Sequence, residues 1–126
     1  MSNIETFSLL IVDDEQRFTD MLARRLNLRG CSCDVSYSGQ QALNVLKTKN
    51  FDLILLDLHL PDIYGSDVLK RIKETDSNTP VIIITGHGTE KDRKECLSRG
   101  AYAFMHKPVS IDKLMHILEQ LGKIPI

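Results

Sequence analysis

The sequence lacks an excess of charge of either sign: 16 lysines and arginines stand against 17 aspartates and glutamates, for a formal net charge of −1. A surface that holds nucleic acid nonspecifically normally shows as a basic surplus, so this domain is not expected to contact nucleic acid directly. The chain also lacks long apolar runs. The longest uninterrupted one is residues 101–105, far short of the roughly 20 needed to span a bilayer, so no membrane segment is expected. The first residues, Met1-Ser2-Asn3-Ile4-Glu5, have neither the basic nor the apolar region of a secretory signal. Cysteine is scarce, and the count of 3 is odd, with no scaffold spacing. Reduced thiols and a cytoplasmic location are the default reading. There is no internal repeat, linker or low-complexity stretch, and the composition, 42% hydrophobic and 26% charged, excludes disorder, collagen and coiled coil as the main class. A length of 126 residues allows one domain, expected over 1–126 with its core at about 7–122.

What is present is an alternation of apolar runs and amphipathic stretches. Leu9-Leu10-Ile11-Val12 is followed by Phe18, Met21, Leu22 and Leu26 at helical spacing, with Gly30 as a stop signal. Residues 31–37 alternate, with Cys31, Cys33, Val35 and Tyr37 on one face, as in a half-exposed strand. Ala42, Leu43 and Leu46 mark a short helix, and Leu53-Ile54-Leu55-Leu56 a second buried strand. After a turn with Pro61 and Gly65, Val68, Leu69 and Ile72 mark a helix. Val81-Ile82-Ile83-Ile84 then ends at Thr85. Thr89 and Asp92 read as a capping box for a polar helix over 89–99, which offers mainly Cys96 and Leu97 for burial. Residues 101–105 form a fifth strand leading to Lys107-Pro108, and Ser110 caps a last helix with Leu114, Ile117, Leu118 and Leu121.

The order is βα repeated five times. Continuous apolar strands separated by helices imply a parallel sheet covered on both faces. The expected fold is therefore α/β: a (βα)5 doubly wound, flavodoxin-like sheet in strand order 2-1-3-4-5, with 31–37 at an edge.

In such a sheet the carboxyl ends of all strands lie along one edge, and ligands bind where the strand order reverses. Those ends carry Asp13 and Asp14, Asp57, Thr85 and Lys107. Strands 1 and 3 are neighbours, so the three carboxylates share one pocket and repel each other. A hard divalent cation such as Mg²⁺ relieves that repulsion through oxygen ligands. With Lys107 as a fixed positive charge and Thr85 as a hydroxyl donor, the set suits phosphoryl transfer, and an aspartate can be the nucleophile.

Val12-Asp13-Asp14, Asp57-Leu58-His59-Leu60-Pro61 with Gly65, Ile84-Thr85-Gly86 and Lys107-Pro108, in this order and at these strand ends, resemble a response-regulator receiver domain of two-component signalling. The likeness runs from Leu9 to about Leu121. It implies that Asp57 accepts a phosphoryl group from a sensor histidine kinase or a phosphotransfer protein. It implies that Asp14, Asp57 and the backbone carbonyl of His59 ligate Mg²⁺, with Asp13 acting through water. Thr85 would bond the phosphoryl group, Lys107 would pair with it, and Thr85 and Phe104 would be the switch residues. The Lys107–Pro108 bond is often cis in such domains. The resemblance also implies a signalling switch that catalyses only its own phosphorylation and dephosphorylation. Its output would be an effector domain or partner, a transcriptional one among the expectations, and a homodimer through the 89–121 face is a further expectation.

His59 and His87 occupy the positions two after Asp57 and two after Thr85, where receivers control the approach of water. Either they tune dephosphorylation or they point to solvent. Two rival classes fit less well. A haloacid-dehalogenase-like phosphatase carries its nucleophile after the first strand with a second aspartate two residues on, where this chain has His59. A flavodoxin-like cofactor carrier needs a phosphate loop after strand 1, where this chain has two carboxylates.

Overall fold

The computed structural model describes residues 7–122. Five strands, β1 (Phe7–Val12), β2 (Cys31–Ser36), β3 (Leu53–Asp57), β4 (Val81–Thr85) and β5 (Ala103–His106), alternate with five helices. The helices are α1 (Gln16–Asn27), α2 (Gly39–Leu46), α3 (Gly65–Thr75), α4 (Glu90–Ser98) and α5 (Ile111–Gln120). All strand pairings are parallel, and the order is β2-β1-β3-β4-β5, as expected from the alternation.

The central strands are apolar without interruption because both of their faces are covered. Leu10, Val12, Ile54, Leu56 and Ile83 face one core with Val68, Leu69 and Ile72 of α3 and Cys96 of α4. Leu9, Ile11, Leu53, Leu55 and Ile82 face the other with Leu22 and Leu26 of α1 and Leu114 and Leu118 of α5. Successive residues of a strand point to opposite faces, so β1, β3 and β4 feed both cores in alternation, while the edge strand β2 gives Cys31, Cys33 and Val35 to the second alone. Burying one such side chain contributes about 1.5–3 kcal/mol.

Helix ends follow local chemistry. The Thr89–Asp92 capping box is present at the start of α4, and the Ser110 side chain accepts from the Lys113 amide. At α2, Ser38 is the cap, accepting from the Gln41 amide, while Asp62 from the β3–α3 loop takes the amides of Gly39 and Gln40. Some sequence expectations shift. The first strand begins at Phe7, and the fifth runs Ala103–His106 rather than 101–105. Met21 and Leu97, assigned to the core by spacing, are 47% and 37% exposed, because each lies at the margin of its helix's buried stripe. Ser36, on the expected wet face of β2, is buried.

The register delivers the polar residues to one edge. Val12 pairs with Leu56, Asp57 with Ile84, and Thr85 with His106. Asp13, Asp57, Thr85 and Lys107 therefore follow or end adjacent strands at one height.

Candidate functional site

Asp13 and Asp57 are buried, at 2% and 5% exposure, whereas Asp14 is exposed. Each of the three carboxylates offers an oxygen, and these atoms lie within 4.8 Å of one another. Asp13 Oδ1 accepts from the Glu15 amide at 3.0 Å. Asp13 Oδ2 is buried, lacks an aligned hydrogen bond, and lies 2.7 Å from Lys107 Nζ as an ion pair. Burial and the neighbouring Asp13 charge push the Asp57 carboxyl up to about 6, against the opposing pull of Lys107 and the His59 amide. For Lys107, burial opposes the charge, but its contacts with Asp13 and Glu15 outweigh it and hold the ammonium above the usual lysine value.

These residues fit a hard divalent cation. The donor set is carboxylate oxygen, one such oxygen is buried with no aligned hydrogen bond, and Lys107 and His59 only partly offset the burial and repulsion that raise the Asp57 carboxyl. Asp13, Asp14 and Asp57 would hold it, and the cation would supply charge neutralisation for an incoming phosphoryl group.

Lys107 does not reach out alone. Its ammonium also lies 2.7 Å from Glu15 Oε1 and 4.4 Å from the centre of the Phe18 ring. Among the described residues no ion pair joins it to Asp57. The peptide bond Lys107–Pro108 is cis. Thr85 is fully buried, and its Oγ1 accepts from the His87 amide at 3.1 Å. Phe104 is half-buried and packs against the α3-side core. A Cβ added to Gly88 would stand 2.6 Å from Phe104 Cζ and 2.7 Å from Thr85 Cγ2, so the missing side chain is what lets ring, hydroxyl residue and loop meet.

The two histidines flanking the pocket part company. His87 is exposed and contributes backbone: its amide to Thr85 and its carbonyl to His59. His59 Nε2 donates to that carbonyl at 2.7 Å, which fixes the proton on Nε2 because a carbonyl can only accept. On the other side of the loop, His106 Nε2 donates to the next carbonyl, Gly88 O, at 3.2 Å, with its ring edge-to-face on Phe104. Two imidazoles from two strand ends thus hold successive carbonyls of the β4–α4 loop.

The comparisons with known proteins come to the same place. The model of the family described as response regulator receiver domain matches residues 9–119. The chain belongs to that family. The transcriptional regulatory protein TrcR of Mycobacterium tuberculosis is 34% identical over 113 residues, covering 90% of this chain and 44% of TrcR. The response regulator ArlR of Staphylococcus haemolyticus is 38% identical over 107 residues, covering 85% of this chain and 48% of ArlR. The chain spans about half the length of the curated relatives it matches. A CheY-like receiver domain structure from Methanospirillum hungatei superposes with a TM-score of 0.88 at 28% identity, covering 94% of this chain and 96% of that one. Receiver domains are signalling switches of two-component systems, and accepting a phosphoryl group from a histidine kinase is their general function. No helix among the described residues of this receiver is long and apolar enough to cross a membrane.

The structure brings together Asp13, Asp14, Asp57, Thr85 and Lys107. It adds residues that sequence reasoning passed over: Glu15 and Phe18 around Lys107, and Tyr64, whose hydroxyl donates to Asp92 Oδ1 at 3.0 Å across the mouth of α4. Helical spacing assigned Phe18 to the core, and nothing local ties Tyr64 to a residue 28 positions away.

Proposed function

We propose that Asp57 is the phosphoacceptor of this receiver. Its carboxylate attacks phosphorus in line, the Oδ–P bond forms, and the P–N bond to the donor histidine breaks, leaving the donor imidazole. The single observation that supports this most is the raised Asp57 carboxyl, buried beside Asp13 and facing a pocket of oxygen donors with Lys107 behind it. Mg²⁺ held by Asp13, Asp14, Asp57 and the His59 carbonyl would neutralise the phosphoryl oxygens. Thr85 would turn its hydroxyl from the His87 amide to the phosphoryl group, Phe104 would take up the space released, and the 86–107 region would change packing as a population shift. The domain thereby works on itself and turns over no separate substrate. A sensor histidine kinase or phosphotransfer protein would be the donor, and an effector domain or output protein the reader, with a homodimer through the 89–121 face as one form of output. We read the whole of 1–126 as one receiver domain acting in the cytoplasm.

Intact mass after incubation with acetyl phosphate and Mg²⁺ tests the acceptor. The expected result is one phosphoryl group on the wild type and none on Asp57→Asn. No gain in the wild type, or an equal gain in the variant, overturns the assignment.

His59 and His87 are assigned a part in phosphoryl lifetime. The ring's bond to the His87 carbonyl supports a reading in which His59 would block water rather than activate it. Dephosphorylation is therefore expected to run faster in His59→Ala. Unchanged rates in both His59→Ala and His87→Ala remove this role.

A further inference from the structure

Glu15 sits at the N-cap of α1, yet its side chain caps nothing. An acidic residue at a helix start normally serves the free amides and the positive end of the dipole. This one reaches across 92 positions of sequence to Lys107 Nζ at 2.7 Å. The ammonium has three hydrogens and no acceptor of its own. Asp13 Oδ2 and Glu15 Oε1 each lie 2.7 Å from it, and the Phe18 ring covers it at 4.4 Å. The lysine is thus drawn to two carboxylates and a ring before any phosphoryl group arrives, and its one aligned hydrogen bond, to Glu15, competes with a phosphoryl group on Asp57.

The two carboxylates differ in how easily they are given up. The Asp13 side chain is 3% exposed and lies in the pocket with Asp57, so a lysine that turns to Asp57 stays beside it. The Glu15 side chain is 63% exposed, so water replaces the lysine at once. Glu15 is the partner released.

We propose that Glu15 is a positioning residue that holds Lys107 in reserve and competes with the phosphoryl group for it, setting how readily Asp57 is phosphorylated. The proposal rests on Asp57 as acceptor. Removing the Glu15 charge leaves Lys107 with Asp13 and the pocket, and raises phosphoryl uptake. An exposed pair of this kind corresponds to an increase of about two- to fivefold.

The test measures the phosphorylation rate with acetyl phosphate at saturating Mg²⁺, and the affinity for beryllofluoride as a phosphoryl mimic, for wild type and Glu15→Gln. The variant is expected to be faster and to bind the mimic more tightly by that factor. The ratio of variant to wild type should fall toward one as salt rises to about 0.5 M, because the exposed pair is screened. A merely structural role would leave that ratio insensitive to salt. In a Lys107→Ala background, read over long incubations, the same change at Glu15 should have no effect. An equal or slower rate in Glu15→Gln, a ratio independent of salt, or a full effect without Lys107 overturns the proposal. If the wild type takes up no phosphoryl group, the reading of Asp57 fails instead, and the two failures are told apart by the wild-type mass.

Discussion

Helices α4 and α5 flank the same edge strand and are held in opposite ways. α5 buries Leu114 and Leu118 in the core that contains Leu9, Leu53 and Ile82. α4 buries Cys96 and little else. Its position depends on directed polar bonds instead. Tyr64 reaches Asp92 at its start, and Arg99 at its end reaches the Ser66 carbonyl at 3.0 Å and Asp67 Oδ1 at 2.9 Å. The loop before it hangs on His59 and His106. Packing is lost gradually and at large cost when a helix moves, whereas a few hydrogen bonds can be exchanged for others at similar energy. The fold has placed its exchangeable attachments on the side that the carboxylate pocket adjoins.

The contrast can be broken first at α5. Leu114→Ala should lower stability by about 2–5 kcal/mol in urea unfolding, and a loss below about 1 kcal/mol would mean that α5 is as loosely held as α4. Next in size is Asp57. Its carboxyl sits at about 6 in the folded chain, above the ordinary 3.8, so the folded state favours the protonated form. Without divalent cation, the contribution of Asp57 should be fully present below about pH 4 and fall by roughly 2 kcal/mol as pH rises through about 6, so Asp57→Asn should lack that step and be the more stable protein at pH 7. Parallel unfolding curves for the two proteins from pH 4 to 7 would refute it.

Beryllofluoride with Mg²⁺ should change amide exchange severalfold across 86–107 while leaving 111–120 as it was. Equal change in both would erase the distinction between the helices. Smallest in global terms is Tyr64→Phe, expected to cost under about 1 kcal/mol because the hydroxyl bond is partly solvated. It should nonetheless quicken exchange in α4 specifically. A uniform effect across the domain would show that Tyr64 holds more than this one helix.

The contrast also marks where sequence was a good guide. Strand order, the two covered faces and the convergence of Asp13, Asp14, Asp57, Thr85 and Lys107 all follow from short periodic patterns and from which residue ends each strand. Those signals are local, and the topology of a parallel sheet converts them into a site. The attachments of α4 and of Lys107 follow from no local signal. Glu15 looks like a helix-start acid, Tyr64 like a turn residue, and His106 like a surface residue, yet each finds a partner on a distant segment. Met21 and Leu97 show the same limit from the other side, because a spacing rule names a stripe and not its margins.

Gly65 has one more consequence. Its amide donates to the Leu58 carbonyl at 2.7 Å, and a Cβ there would stand 2.4 Å from the Asp57 carbonyl oxygen and 2.6 Å from Leu58 Cα. The first turn of α3 is thus wedged against the main chain of Asp57 and Leu58, with no room for even a methyl group between them. One side of Asp57 is therefore rigid and the other is not. β3 and the head of α3 form a fixed anvil under Asp57, and a phosphoryl group placed there, as proposed, would find its give on the opposite side, in the loop that leads to α4.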